Sequence, residues 1–185
     1  MAERPLVVKV GGALSHVPGA LDDVARALPR LARAQPVIVI PGGGPFADQV
    51  RRTQHDLGAS EDAAHWMAIL AMDQYAHLLA ERVPGGRLVE EPGAIAAVLS
   101  AGEIAVLAPS RWLRAADTLP HSWDATSDSV AAFVAGALDA VRLDLIKPAE
   151  GAEAAVDACF ADVVPAGLEV RILGWERFVE ESLSP

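Results

Sequence analysis

Three glycine clusters each follow a short run of apolar residues, and a lysine stands beside two of them. Lys9, Gly11 and Gly12 close the run Leu6 to Val10. Gly42, Gly43 and Gly44, set between Pro41 and Pro45, close Val37 to Ile40, and Lys147, Pro148 and Gly151 close Val141 to Ile146. Consecutive glycines between a strand and a helix turn backbone N–H groups toward one concave point, and the missing Cβ lets an anion approach them closely. Phosphate is the natural ligand, and a compact ammonium is a point charge suited to it. The chain has only two lysines against thirteen arginines, so their position at two of the three clusters is informative.

Other chemistries fit less well. There is no GxxxxGK[ST], so a Walker-type nucleotide site is not supported. Gly42 to Ala47 fits GxGxxA, but the dinucleotide fingerprint needs a strand ending in an acid about 20 residues later. Helical patterns at Phe46 to Leu57 and Ser60 to Val83 occupy that stretch instead. Asp73 and His77, four apart on one helical face, have no third metal ligand at suitable spacing and read as a solvated or dimer-facing pair. No metal site is therefore expected. Cys159 is the only cysteine, which excludes an intrachain disulfide and a cysteine-based zinc cluster and fits a cytoplasmic protein. The net charge of −10 argues against a general nucleic-acid binder. The N-terminal apolar run is too short for a signal peptide or a membrane span.

These residues need elements to hold them. The runs named above, with Ile104 to Leu107 and Glu169 to Leu173, predict five buried strands. Leu21, Val24, Leu28 and Leu31 predict a helix within Gly19 to Gln35, with Pro29 as a potential kink. Ser60 to Val83, opening with an N-cap serine followed by acids, predicts the longest helix, and a further helix starts near Asp128. Alternating strands and helices imply an α/β fold, a three-layer α-β-α sandwich with a mainly parallel sheet, in one domain over residues 1–185. At 52% hydrophobic the chain can bury a sizeable core. In such a sheet, ligands bind beyond the carboxyl ends of the strands, where the glycines and lysines lie.

VVKVGGALS followed by VIVIPGGGPFADQVR resembles the amino acid kinase superfamily. Within it, AMDQYAHLLAE, VLAPSRWL and above all HSWDATSDSVAAFVAG are similar to the (aminomethyl)furanyl-methyl phosphate kinases of methanofuran biosynthesis. The resemblance runs from Leu6 to about Leu145 and resumes at Asp157 to Leu183. It implies ATP with Mg²⁺ as phosphoryl donor, a small phosphorylated acceptor and a homodimer. It implies that Lys9 contacts the transferring phosphoryl group, that Asp128 orients Lys9, and that Gly11, Gly12, Gly43, Gly44 and Ser127 bind the phosphates. Asp128 reads equally well as a helix-capping carboxylate. The acceptor's ammonium group is expected on Asp73 or Asp124, and its flat ring on Trp123 or, second, Trp66.

After the strand Val141 to Ile146, IKPAEGAEAAVDACF replaces the family's TDVDG-like turn, so the nucleotide-binding half is shortened. Lys147 and Gly151 are the expected nucleotide contacts there. The alternatives are a noncatalytic relative that binds a small phosphorylated molecule or a partner, and an interaction protein using Trp66, Met67, Met72 and Tyr75 as an oligomer seam.

Overall fold

A computed structural model describes residues 3–149 and 156–183. Six strands form one parallel sheet: β1 (Leu6–Val10), β2 (Val37–Pro41), β3 (Gly86–Val89), β4 (Ile104–Leu107), β5 (Arg142–Lys147) and β6 (Glu169–Gly174), in the spatial order β3-β4-β2-β1-β5-β6. The helices are α1 (Ala20–Leu31), α2 (Gly44–Leu57), α3 (Glu61–Arg82), α4 (Ile95–Ser100), α5 (Ser110–Ala116), α6 (Ser127–Ala137), α7 (Phe160–Val163) and α8 (Trp175–Leu183). The three-layer α/β expectation holds, and every strand pairing is parallel. Among the described residues no helix is long and apolar enough to cross a membrane.

Strand residues alternate between two core layers, as a pleat of period two requires. Leu6, Val8 and Val10 face α1, α3 and α8 through Val24, Leu28, Tyr75, Leu79 and Phe178. Val7, Leu143 and Leu145 face α6 through Val130, Ala131 and Val134. Lys9 and Lys147 share the odd parity of Val7, Leu143 and Leu145, which turns both ammonium groups toward α6. The chain builds outward from β1 to β2 and the β3 edge, then returns to β5 on the other side of β1. The carboxyl end of β1 is therefore a topological switch point, flanked by the ends of β2 and β5.

Helix α3 begins at the expected place, with the Ser60 hydroxyl accepting the Ala63 N–H at 3.2 Å. Its Met72 and Tyr75 are buried within the protomer, 4% and 0% exposed, so they belong to the core and not to an oligomer seam. Helix α1 runs through Pro29 and stops at Leu31, short of Gln35. Strand β3 was not anticipated. It is a four-residue edge strand, GRLV, whose only fully buried residue is Val89, so no apolar run announces it.

Candidate active site

Backbone packing decides first what the glycines do. A Cβ on Gly12 would stand 2.3 Å from the Gly44 nitrogen, and one on Gly42 would stand 2.3 Å from the Gly12 nitrogen. Two main chains thus touch where β1 and β2 end, at a distance no side chain tolerates. Gly44 also has a φ of +54° and lies against the Tyr75 ring. The amides of Gly11 and Gly42 are spent on sheet continuation, to the carbonyls of Ile146 at 3.1 Å and Val10 at 2.8 Å. Gly43 and Gly44 hold the N-cap and first position of α2, where an N–H has no intrahelical acceptor and the helix dipole favours an anion.

Behind this loop lies a buried ionic cluster. Lys9 Nζ is 2.9 Å from Asp128 Oδ1, and Lys147 Nζ donates to Asp128 Oδ2 at 2.7 Å. The two lysines of the chain thus share one carboxylate, with Lys9 5%, Lys147 8% and Asp128 4% exposed. Burial pushes the Lys9 pKa down and the Lys147 charge adds to that, outweighing the opposing pull of Asp128. Burial would push Asp128 up, but the two lysines together hold it below the usual carboxylate value. A buried ammonium with a depressed pKa gains from an arriving anion, which is the electrostatic condition for holding phosphate.

Asp128 is the second residue of α6, yet it does not cap that helix. The cap comes from Asp157, whose Oδ2 accepts from the Thr126 amide at 2.8 Å, the Thr126 hydroxyl at 2.7 Å and the Ser129 amide at 3.0 Å. Its Oδ1 accepts from the Ser129 hydroxyl.

A cavity of about 290 Å³ is bounded by Gly12, Gly43 and Gly44 at one end and by Thr126 and Ser127 at the start of α6, while Lys9, Gly11, Asp128 and Lys147 do not line it. Gly44, Ala47, Asp48 and Arg51 line it from α2, and Glu61, His65, Ala68 and Met72 from α3. Both sets recur at helical spacing, and the small alanines leave the room. Trp123 lines the cavity, its indole N–H donating to Gln54 Oε1 at 2.6 Å and the Arg51 guanidinium stacked 3.7 Å from its ring centroid. His65 stacks on His121 at 4.2 Å, and Asp62 and Asp117 bond both ring nitrogens of His121, raising its pKa. Burial and the nearby His121 lower that of His65.

The remaining expected residues lie elsewhere. The Asp73 carboxylate accepts the Ser110 N–H at 3.0 Å, outside the cavity, so it serves the start of α5 and is not placed to meet an ammonium group there. Asp124 is exposed and bonded to Ser122. Trp66 packs under Arg114, with 4.2 Å from guanidinium to ring centroid, and does not line the cavity. Lys147 points to Asp128. Gly151 falls outside the described residues. Among the described residues no cluster of His, Cys, Asp or Glu could hold a metal ion. Sequence reasoning missed Arg51, His65 and Asp157. Arg51 alone had a signal, standing seven residues after Gly44 on the same helical face.

Residues 4–151 match the amino acid kinase family model. The [5-(aminomethyl)furan-3-yl]methyl phosphate kinase of Methanocaldococcus jannaschii is 30% identical over 145 residues, 78% of this chain and 66% of the relative, so the chain spans just under two thirds of that protein's length. Uridylate kinase from Archaeoglobus fulgidus superposes with a TM-score of 0.72 at 15% identity, covering 97% of this chain and 95% of that one. UMP kinase from Ureaplasma parvum superposes at 0.60 and 14% identity, covering 82% and 70%. By sequence over most of its length and by fold, the chain belongs to the amino acid kinase family.

Proposed function

We propose that this protein is a kinase that transfers the terminal phosphoryl group of ATP to a small phosphate monoester, of the aminomethyl-furan-methyl phosphate class named for its relative. The observation that carries the reading is Asp128 shared between Lys9 and Lys147, with Ser127, the residue before Asp128, lining a cavity that Gly12, Gly43 and Gly44 also bound. A phosphate monoester is already a competent nucleophile, so the reaction needs alignment and charge neutralisation more than a general base. An acceptor oxygen forms the new bond to the γ-phosphorus as the bond to the departing ADP oxygen breaks. Lys9 and Lys147 neutralise charge on the transferring group, Asp128 fixes their positions, and the amides of Gly43 and Gly44 with Gly12 and Ser127 hold the acceptor phosphate.

Both Asp128 oxygens are engaged by lysine, so Mg²⁺ would be held by the nucleotide's own phosphates and would supply charge neutralisation. The cavity suits a small acceptor, being at the low end of the roughly 300 to 1,000 Å³ typical of ligand pockets. Trp123 offers a face to a flat ring. Asp48 and Glu61 line the cavity and take over the ammonium-binding role expected of Asp73 or Asp124. We also propose a cytoplasmic homodimer, which light scattering tests for assembly.

The experiment is a coupled ADP-release assay with Mg·ATP and a panel of phosphorylated and carboxylated acceptors, with calorimetric titration of Mg·ATP alongside. Turnover only with small phosphate monoesters supports the reading. Acceptor binding without turnover and without nucleotide heat would instead establish a noncatalytic phosphate-binding relative.

A further inference from the structure

We infer that Asp157 is a positioning residue of this site: its grip on the first turn of α6 holds Asp128 between Lys9 and Lys147. The inference rests on the kinase reading for its catalytic consequence and on geometry for the rest.

An ordinary N-cap is supplied by the residue that precedes the helix and fixes only the helix end. Thr126 holds that position in α6, but its side chain caps nothing within the helix and its hydroxyl donates to Asp157 instead. The capping carboxylate comes from 28 to 31 residues further along the chain. A cap from so far away fixes where the helix start sits relative to the sheet. Its four donors come from Thr126 and Ser129, the residues bracketing Ser127 and Asp128, so the turn carrying the bridging carboxylate is clamped on both sides. Two further contacts hold Asp157 in place. The Cys159 amide donates to the Asp124 carbonyl at 2.8 Å, and Phe160 is buried against the α6 layer of the core.

Asp157 also acts through charge. The ionisable groups acting on Lys9 are Asp128, Lys147 and Asp157, and the Asp157 carboxylate favours the ammonium form. Removing that charge while keeping the side-chain shape should make Lys9 titrate at lower pH, an effect that a purely structural cap would not produce.

The test compares Asp157→Asn, which keeps shape and one acceptor, with Asp157→Ala, which keeps neither. Lysine-selective isotope labelling gives two side-chain resonances, because the chain has two lysines, and their pH titration is read by NMR beside steady-state kinetics and thermal melts. For Asp157→Ala, kcat should fall about 10- to 100-fold with acceptor KM little changed, the loss expected when reacting groups shift by about an ångström. For Asp157→Asn, one lysine resonance should titrate at lower pH than in the wild type, with a smaller fall in melting temperature than for alanine. Both variants titrating as the wild type does, at undiminished kcat and lowered melting temperature, would reduce Asp157 to a structural staple and overturn the inference. If the wild type turns over no acceptor, the kinase reading fails separately and the lysine titration alone decides the role of Asp157.

Discussion

Replacing Asp128 by Asn removes the charge between the two lysines and almost nothing else. Each ammonium lies within 3 Å of one oxygen of that carboxylate, at 2.9 and 2.7 Å. The two nitrogens are therefore on the order of 5 Å apart, and at an effective dielectric near 20 their mutual repulsion is about 3 kcal/mol once the carboxylate is neutral. Breaking a buried ion pair by removing one partner costs roughly 3 to 5 kcal/mol, which agrees. Against a total stability of about 5 to 15 kcal/mol, the variant should remain folded but lose a large part of its margin at pH 7. The loss should depend on pH with a defined sign. The Lys9 pKa already lies below its ordinary value of 10.5, and losing Asp128 lowers it further. Below the folded-state pKa both folded and unfolded chains carry the proton, and the full destabilisation appears. Between that pKa and 10.5 the unfolded chain binds more protons, so stability recovers as pH rises. Urea unfolding of wild type, Asp128→Asn and Asp128→Asn/Lys147→Met at pH 7 and at pH 9.5 measures this. The double variant should regain about 3 kcal/mol over the single one at pH 7, because the second cation is gone. A double variant no more stable than Asp128→Asn, or a single variant equally impaired at both pH values, refutes the reasoning.

Gly12→Ala would press a Cβ to 2.3 Å from the Gly44 nitrogen and 2.7 Å from its Cα, where no rotamer offers escape. Urea melts should show a loss of about 1 to 3 kcal/mol or more from overpacking. The control Gly58→Ala, at φ +70° with open space around it, should lose only the roughly 1 kcal/mol left-handed penalty. Trp123→Phe removes the indole bond to Gln54 and should raise acceptor KM several-fold at constant kcat, the pattern of lost uniform binding. An unchanged KM would take Trp123 out of the acceptor site.

Legibility in the sequence followed the range of the interaction. Strands β1, β2, β4 and β5 announced themselves as apolar runs, because a buried parallel strand needs apolar side chains on both faces. Strand β6, expected to be buried, is instead the other edge of the sheet, with Glu169 exposed and Val170 to Ile172 half-buried. Helix α3 announced its start through Ser60, since capping is a local bond between near neighbours. Strand β3 is a half-exposed edge and carries no such run. At the site, Lys9 and the glycines were legible because a strand end beside glycines is a local pattern. The bond from Lys147 to Asp128 was not, because it depends on β5 pairing with β1 in a register that levels Ile146 with Val10. Asp73 shows the converse failure. With His77 it read as a solvated or dimer-facing pair, but periodicity does not say that α5 packs there and that the Ser110 N–H occupies its carboxylate. Asp157 was the hardest to see, as its importance lies wholly in contacts with a helix start some thirty residues earlier.

The use of lysine at Asp128, in a chain that otherwise employs arginine, leads to one more expectation. Strand β5 contains its own comparison. Arg142 takes both oxygens of Asp144 through its fork, at 2.8 and 3.0 Å. Five residues on, Lys147 donates to Oδ2 of Asp128, and Oδ1 of the same carboxylate faces Lys9. An ammonium makes separate point contacts, whereas a guanidinium claims a carboxylate edge. Lys147→Arg therefore keeps the charge but should capture Asp128 bidentately and uncouple it from Lys9. Turnover should then fall roughly as far as for loss of one oxyanion donor, about 10²- to 10³-fold. The melting temperature should fall as well, since Lys9 stays buried while its carboxylate is taken by the arginine. Retained turnover in Lys147→Arg would mean that charge alone matters here and that the sharing of one carboxylate by two lysines has no part in catalysis.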